Sequence, residues 1–539
     1  MMKQPALAHL IPGFIELHWP APTSARCRLY AEELCPKHRI HCHISLVEKA
    51  EILHLSMRCP PVASYRNSYL LDDADEANIL FYPDPIPANP SSELRIPRIL
   101  VLDTQQPNNL HANAYHDFDS SRDPSKHRNR GGVIGCTTAY FLTRHPSFNS
   151  AIHKITLLEA ESIASGASGK AGGLLGLWAY PSCIVPLSYR LHAELAKEHD
   201  GAKRWGYRAL HCGSVTARGK VHKSSQIEGD VSKEGTEEWK KLCKTKSNGK
   251  KVVPAEIPKD LDWLDNDTLR GYSEMGTPET TAQVHPYLFT NAVAELAVEK
   301  GAEIILGSVT ALDYKGVNGA QSVTYEDKIT KEIHTIPATD IVVAAGPWTS
   351  TIFPEAPIEA LRAHSIVIKA DVSPYAVFTE IELPRNYAAI RDGEAKKRRH
   401  AKFVNPEMYA RPDGTVYACG EGDNLIPLPP SSAHVQCDDT RCDDMYSYLC
   451  LISSPFRNGS VVAKQACYLP LVSSIGDRGP IIGKTPWRGL FVAAGHTCWG
   501  IQNSCATGKV MSEFVFEGEC RSADVSELDP GLVLGGGGA

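Results

Sequence analysis

Glycines stand at 131, 132 and 135, at the head of a segment (Gly132–Arg144) that reads as a helix, and Glu159 closes the apolar run Ile155–Leu158. Glycine lets a backbone approach a pyrophosphate at a helix N-terminus. A carboxylate ending the next strand, about 24 residues beyond the third glycine, accepts ribose hydroxyls. Together these residues describe a dinucleotide site; the alternative is a plain capping turn followed by a surface glutamate. A denser block follows: Gly166, Ala167, Ser168, Gly169, Lys170, Ala171, Gly172 and Gly173. So many small side chains let a loop lie flat against a large planar ligand and offer it backbone donors.

Such residues need a scaffold, and the hydrophobic pattern supplies an alternating one. Helices are predicted over Gly132–Arg144, after Pro186 and after Pro286, the last feeding a strand at Glu303–Leu306. Buried strands at Ile341–Ala345 and Leu490–Ala494 each run into a glycine, which is the rhythm of an α/β nucleotide-binding domain. Ser365–Lys369 and Thr415–Cys419 instead alternate apolar and polar positions, as antiparallel strands do. The expected fold class is therefore α/β, a discontinuous Rossmann-like domain with a second, mixed antiparallel-sheet substrate domain. Its boundaries are expected at 126–201, 279–358 and 475–530 for the nucleotide domain and at 202–278 and 359–474 for the other. Residues 1–125, rich in Pro, His, Asn and Asp, read as a poorly ordered extension, and 531–539 as a flexible tail. The Lys-rich stretch Lys233–Lys251 reads as a solvated insertion.

A chain of 539 residues, 42% of them hydrophobic, can fill two cores. Its net charge of −6 and pI near 6.4 offer no basic field for nucleic acid. The 16 cysteines are scattered rather than clustered as in a stapled secreted domain, and the N-terminus lacks a secretory apolar core. A cytoplasmic protein without a transmembrane segment is expected. No metal is expected: Cys35, His38, His41, Cys42 and His43 lack a second ligand pair and read as polar loop residues.

In their order and spacing the blocks resemble the D-amino-acid oxidase and sarcosine/glycine oxidase superfamily, more closely its fungal cytoplasmic branch of FAD oxidoreductases. The resemblance spans roughly residues 131–530. It implies FAD as cofactor and a small-molecule substrate, an amine or amino acid oxidised by hydride transfer. It also places Val309 at the adenine and Ala345, Gly346 and Trp348 in a second flavin-contacting turn. Gly483, Gly495, Gly500, Ile501 and Gln502 fall in the blocks that close over the flavin. A helix beginning near Gly500 would aim its positive end at the flavin's pyrimidine edge.

Three features depart from that pattern, and a fourth position bears on how the flavin is held. Arg130 stands where the fingerprint has its first glycine, and no buried strand immediately precedes it. Either Arg98–Thr104 substitutes through a long loop, or the segment before Gly131 is foreign to the fold, joined by an error in the gene model; the second is expected, with weakened FAD binding. No Arg or Lys stands among Cys498, Trp499 and Gln502, where relatives clamp a substrate carboxylate. The strand Gly414–Gly420 lacks the lysine of sarcosine-type oxidases. Cys467 lies where those enzymes join the flavin covalently, yet only Lys464 is near it in sequence, so non-covalent FAD is expected. His364, His496, Trp499 and Gln502 are the candidate catalytic residues, the histidines reading first as structural. An alternative function is a flavin-fold protein acting by binding, with peripheral endosomal association, for which Trp178, Tyr180 and Trp499 would block the pocket. A nicotinamide enzyme would leave the Gly166–Gly173 loop without a role.

Overall fold

The computed structural model describes residues 98–103, 131–221, 240–241, 256–316, 319–385, 387, 400–473 and 479–534, with the backbone of five strands within 1–95. The chain divides into two units, Met1–Arg95 and Ile96–Ala539. In the first, Ala6–Leu10 pairs antiparallel with Cys42–Leu46, and Leu53–Cys59, Ala63–Leu71 and Ile79–Pro83 form an antiparallel meander. Cys42 and His43 thus fall on a strand rather than in a loop, while Cys35, His38 and His41 lie outside the described residues.

In the second unit the elements run β1 (Arg98–Asp103), α1 (Val133–Leu142), β2 (Lys154–Glu159), α2 (Val185–Glu198), β3 (His211–Arg218), β4 (Leu269–Gly276) and α3 (Pro286–Glu299). There follow β5 (Ala302–Asp313), β6 (Ser322–Asp327), β7 (Ile333–Pro337), β8 (Asp340–Val343), β9 (Ile358–Lys369), β10 (Tyr375–Glu382), β11 (Glu407–Ala410) and β12 (Thr415–Asp423). The last are α4 (Asp439–Cys450), β13 (Ser460–Val472), β14 (Ile481–Lys484), β15 (Leu490–Ala494) and α5 (Gly500–Phe516).

The nucleotide-domain sheet has the order β7-β6-β5-β2-β1-β8-β15-β14, parallel from β5 through β15. The expected foreign segment is corrected here: β1 stands in the middle, parallel to β2 on one side and β8 on the other. Its side chains explain why it fits. Ile99 and Val101 face the helix layer with Ile155, Leu157 and Phe491, whereas Leu100 and Leu102 face the opposite core with Leu158, Ile341 and Val492. A strand covered on both faces reads as a continuous apolar run, which is what RILVLD is. The break expected at residue 125 therefore moves to Arg95/Ile96. The tail expected from 531 is also corrected, because Leu534 is buried in the second of these cores.

The other large sheet has the order β4-β3-β10-β11-β12-β9-β13, antiparallel except for β3 with β10. Helix α4 covers one face: Cys442, Met445 and Leu449 pack with Ile366, Ile368 and Val377. Asp438 caps that helix, accepting from the backbone N–H groups of Thr440 and Arg441. No described helix is long and apolar enough to cross a membrane.

Candidate FAD site

A solvent-open cleft, with about 1110 Å³ of space counting its open mouth, lies between the carboxyl ends of the parallel strands and the face of β9, β12 and β13. Open α/β sheets bind ligands at that end because the turns leaving the strands begin helices there. Gly132, Val133 and Ile134 bring the start of α1 to the lining, and Gly500 and Ile501 bring the start of α5. Neither helix has a side-chain N-cap, although Ser168 Oγ accepts the Val133 N–H at 2.9 Å. Two sets of backbone donors and two positive dipole ends therefore converge on one cleft.

Glu159 ends β2 on the same lining and is 2% exposed. Its Oε1 accepts the Glu161 N–H at 2.8 Å, which fixes the carboxylate at the strand tip. Close approach dictates the glycines beside it. Gly131 has φ +148°, and a Cβ there would stand 2.8 Å from Leu157 Cδ2; at Gly172 it would stand 2.2 Å from the Tyr409 ring. At Gly166 and Gly346, both on the lining, a Cβ would meet no protein atom within 4 Å, so these two leave room for a ligand.

Lys170 lines the cleft and donates to the Ala466 carbonyl at 3.0 Å. Burial pulls its pKa down, opposed by the nearby side chains of Cys467 and Cys437. The sequence showed only Lys464 near Cys467; the fold brings Lys170 to it from another domain.

The two candidate histidines reach the lining but are committed elsewhere. His364 Nε2 accepts the Asp438 N–H at 3.1 Å, which puts the ring proton on Nδ1, 3.8 Å from Asp423 Oδ2. Burial, reinforced by the Arg362 guanidinium, lowers its pKa to about 4. His496 Nε2 lies 3.0 Å from Thr507 Oγ1, whose own proton goes to the Asn503 carbonyl, and burial lowers its pKa to about 3. Both rings are neutral at physiological pH.

Of the other sequence-derived positions, Gly132, Ser168, Lys170, Gly172, Ala345, Gly346, Trp348, Gly495, Gly500 and Ile501 also line the cleft. Gly131, Gly135, Gly169, Gly173, Val309, Gly483, Trp499 and Gln502 do not. Val309 packs in the core with Val323 and Tyr325, and Gly483 faces Pro530 and Phe514. Gly169 and Gly173 are required by backbone, since a Cβ on either would meet a carbonyl oxygen at 2.0 Å, of Ala164 and Val284 respectively. Gln502 Oε1 accepts the Gly176 N–H at 2.7 Å, and Trp499 packs edge-on against Trp178 and Tyr180. The lining also includes Ser365, Tyr417 and Cys419, which the alternation of their strands could have pointed to, since all three face the same way. Arg130 lies outside the described residues.

Comparison with known proteins assigns this architecture to a family. Residues 131–514 match the FAD dependent oxidoreductase (DAO) family, and the chain belongs to it. TDA3 of Saccharomyces cerevisiae, named as an oxidoreductase, is 35% identical over 505 residues, covering 75% of this chain and 94% of that protein. A Schizosaccharomyces pombe protein, also named as an oxidoreductase, is 35% identical over 416 residues, covering 74% and 96%. Among solved structures, glycine oxidase from Geobacillus kaustophilus superposes with a TM-score of 0.52 at 18% identity, over 80% of this chain and 98% of that one. Iminodiacetate oxidase from Chelativorans sp. BNC1 gives 0.52 at 15% identity, over 80% and 99%. The protein is thus an FAD-dependent oxidoreductase.

The residues present fit that cofactor: two uncapped helix N-termini for its anionic and electron-rich parts, a buried carboxylate for the ribose, and glycines that leave space between them. Replacing Glu159 with Ala removes a charge-assisted acceptor and should weaken FAD affinity by about 1.5–3 kcal/mol, roughly tenfold or more. Titration of the apoprotein with FAD checks this; equal affinity in the two proteins would remove Glu159 from the site.

Proposed function

We propose that the protein oxidises a small amine or amino-acid-like substrate on the face of β9 and β12 that closes the cleft. The observation that carries this reading is the meeting of Ser365, Tyr417 and Cys419 with the start of α5 on one lining. It is supported by the names of the structural relatives, a glycine oxidase and an iminodiacetate oxidase. FAD, when bound, supplies the acceptor for the hydride that leaves the carbon bearing the amine.

The chain's own residues set the conditions. Among the described lining residues Lys170 is the one ammonium or guanidinium, and the Ala466 carbonyl already holds it. Lys170 keeps two further N–H donors, so it is the one lining cation a substrate carboxylate would meet, and neutral donors would orient the rest of the substrate. Burial leaves His364 and His496 too weakly basic to take the substrate's proton near neutral pH, so the amine must enter as its free base. The value of kcat/KM should then rise with pH until the substrate's own amine is deprotonated, with no inflection near 6.5 from a histidine. A pH profile with two substrates of different amine pKa tests this, because the inflection must move with the substrate.

The primary experiment is the visible spectrum of the yellow holoprotein, recorded anaerobically while primary and N-methylated amines, amino acids and hydroxy acids are added in turn. Bleaching by an amine supports the proposal. Bleaching by hydroxy acids alone, or by nothing in the panel, overturns it. Acid precipitation of the same sample should release the colour to the supernatant, since FAD is expected to be held non-covalently beside Cys467.

A further inference from the structure

Two thiols meet where the start of α4 lies on the substrate sheet. Cys437 Sγ and Cys442 Sγ are 3.6 Å apart, across the N-terminus of α4. Cys437 is partly exposed, whereas Cys442 is fully buried, its sulfur 3.9 Å from the Ser365 carbonyl oxygen. Ser365 itself lines the cleft. Lys170, reaching from the small-residue loop, acts electrostatically on Cys437 as well as on Cys467. The pair thus lies one sheet layer from the cleft lining, a partly exposed cysteine beside a buried one.

We propose that Cys437 and Cys442 are a redox-active dithiol whose co-substrate is a hydroperoxide, oxidised to an intramolecular disulfide. A disulfide spans about 2.05 Å, so the sulfurs need close by only about 1.5 Å. The two thiols have distinct parts. The hydrogen bond from Cys442 lowers the pKa of Cys437, aided by the Lys170 ammonium, and the same bond raises that of Cys442. A lowered pKa and the greater exposure of its residue make Cys437 the nucleophile. Its thiolate attacks one oxygen of hydrogen peroxide, the O–O bond breaks, and Cys437 becomes the sulfenic acid as hydroxide leaves. The Cys442 sulfur then displaces the sulfenic hydroxyl, forming the S–S bond and releasing water. In sum, two thiols and one peroxide give one disulfide and two waters.

The local source of peroxide rests on the function proposed above, with molecular oxygen taking up the two electrons and leaving as hydrogen peroxide beside the pair. The dithiol itself does not depend on that reading, and the experiment separates them. Holoprotein is treated with added hydrogen peroxide in the absence of substrate, alkylated, digested without reductant and mapped. A Cys437–Cys442 cross-linked peptide is expected, with a loss of about 2 Da from the intact chain that dithiothreitol reverses. Cys442→Ser should trap Cys437 as a sulfenic acid that dimedone labels, Cys437→Ser should show neither cross-link nor label, and Cys450→Ser should form the cross-link as the native chain does. Both thiols remaining alkylatable after peroxide, or Cys437 passing to the sulfinic acid with Cys442 untouched in the native chain, overturns the proposal. In a second arm an amine that bleaches the flavin is turned over in air with and without catalase. Cross-linking that catalase suppresses supports the dithiol and its source together. Cross-linking by added peroxide without cross-linking in turnover keeps the dithiol and removes only the oxidase source.

Discussion

Val101→Asp should leave no cooperatively folded nucleotide domain, and Leu100→Ala should lower its stability by about 2–5 kcal/mol. Both side chains have no exposed surface, and they point to opposite faces of the same sheet. An aspartate at 101 would put an uncompensated carboxylate among Ile155, Leu157 and Phe491, a cost of several kcal/mol against a total stability of about 5–15 kcal/mol. The strand also supplies backbone partners to β2 and β8, whose tips carry Glu159 and lead to Ala344 and Ala345 on the cleft. Loss of β1 would therefore remove the FAD site along with the fold. Urea unfolding followed by tryptophan fluorescence measures the Leu100→Ala effect, and a soluble Val101→Asp chain that still binds FAD would show that β1 is dispensable. That second result would revive the reading of the segment before Gly131 as foreign to the fold.

The same strand marks where the sequence was hard to read. RILVLD was visible as a strand, but its central place was not, because the glycine turn that normally follows such a strand stands about 27 residues away, at Gly131, and nothing local links the two. The motifs around Glu159 and Gly166–Gly173 were legible because backbone geometry there admits few residue types, as Gly131 with its positive φ and Gly173 against the Val284 carbonyl show. Val309 and Gly483 illustrate the opposite case. Their family positions were clear, but which way a residue faces depends on sheet register, and register turned both away from the cleft. The hydrogen bond of Lys170 to Ala466 and its electrostatic coupling to Cys467 and Cys437 join segments far apart in sequence, and no local pattern encodes such a meeting.

The buried histidines that line or flank the site should make the protein acid-labile well above the carboxylate range. His192 and His364 have pKa values lowered to about 4 and His496 to about 3, in each case by burial first. All three are at most 3% exposed. In the unfolded chain each returns to about 6.5. Between these limits the unfolded state binds more protons, so the stability these rings contribute is fully present above about pH 6.5 and is lost as pH falls toward 4. At pH 5 the loss is on the order of 2 kcal/mol for each ring. Glu421 works in the opposite direction: burial raises its pKa to about 7, so the folded state holds its proton more tightly and gains about 2 kcal/mol as pH falls from 7 to 5. The net contribution of these four groups over that interval is a loss on the order of 3–4 kcal/mol. Urea midpoints at pH 7 and pH 5 measure it, and His192→Asn should flatten the dependence, because His192 Nε2 bonds the Ile501 carbonyl and its titration is removed with the ring. A midpoint unchanged over that interval would mean that the rings are already solvated in the native state, and with that the assignment of His364 and His496 as neutral, proton-silent residues of the cleft would fall.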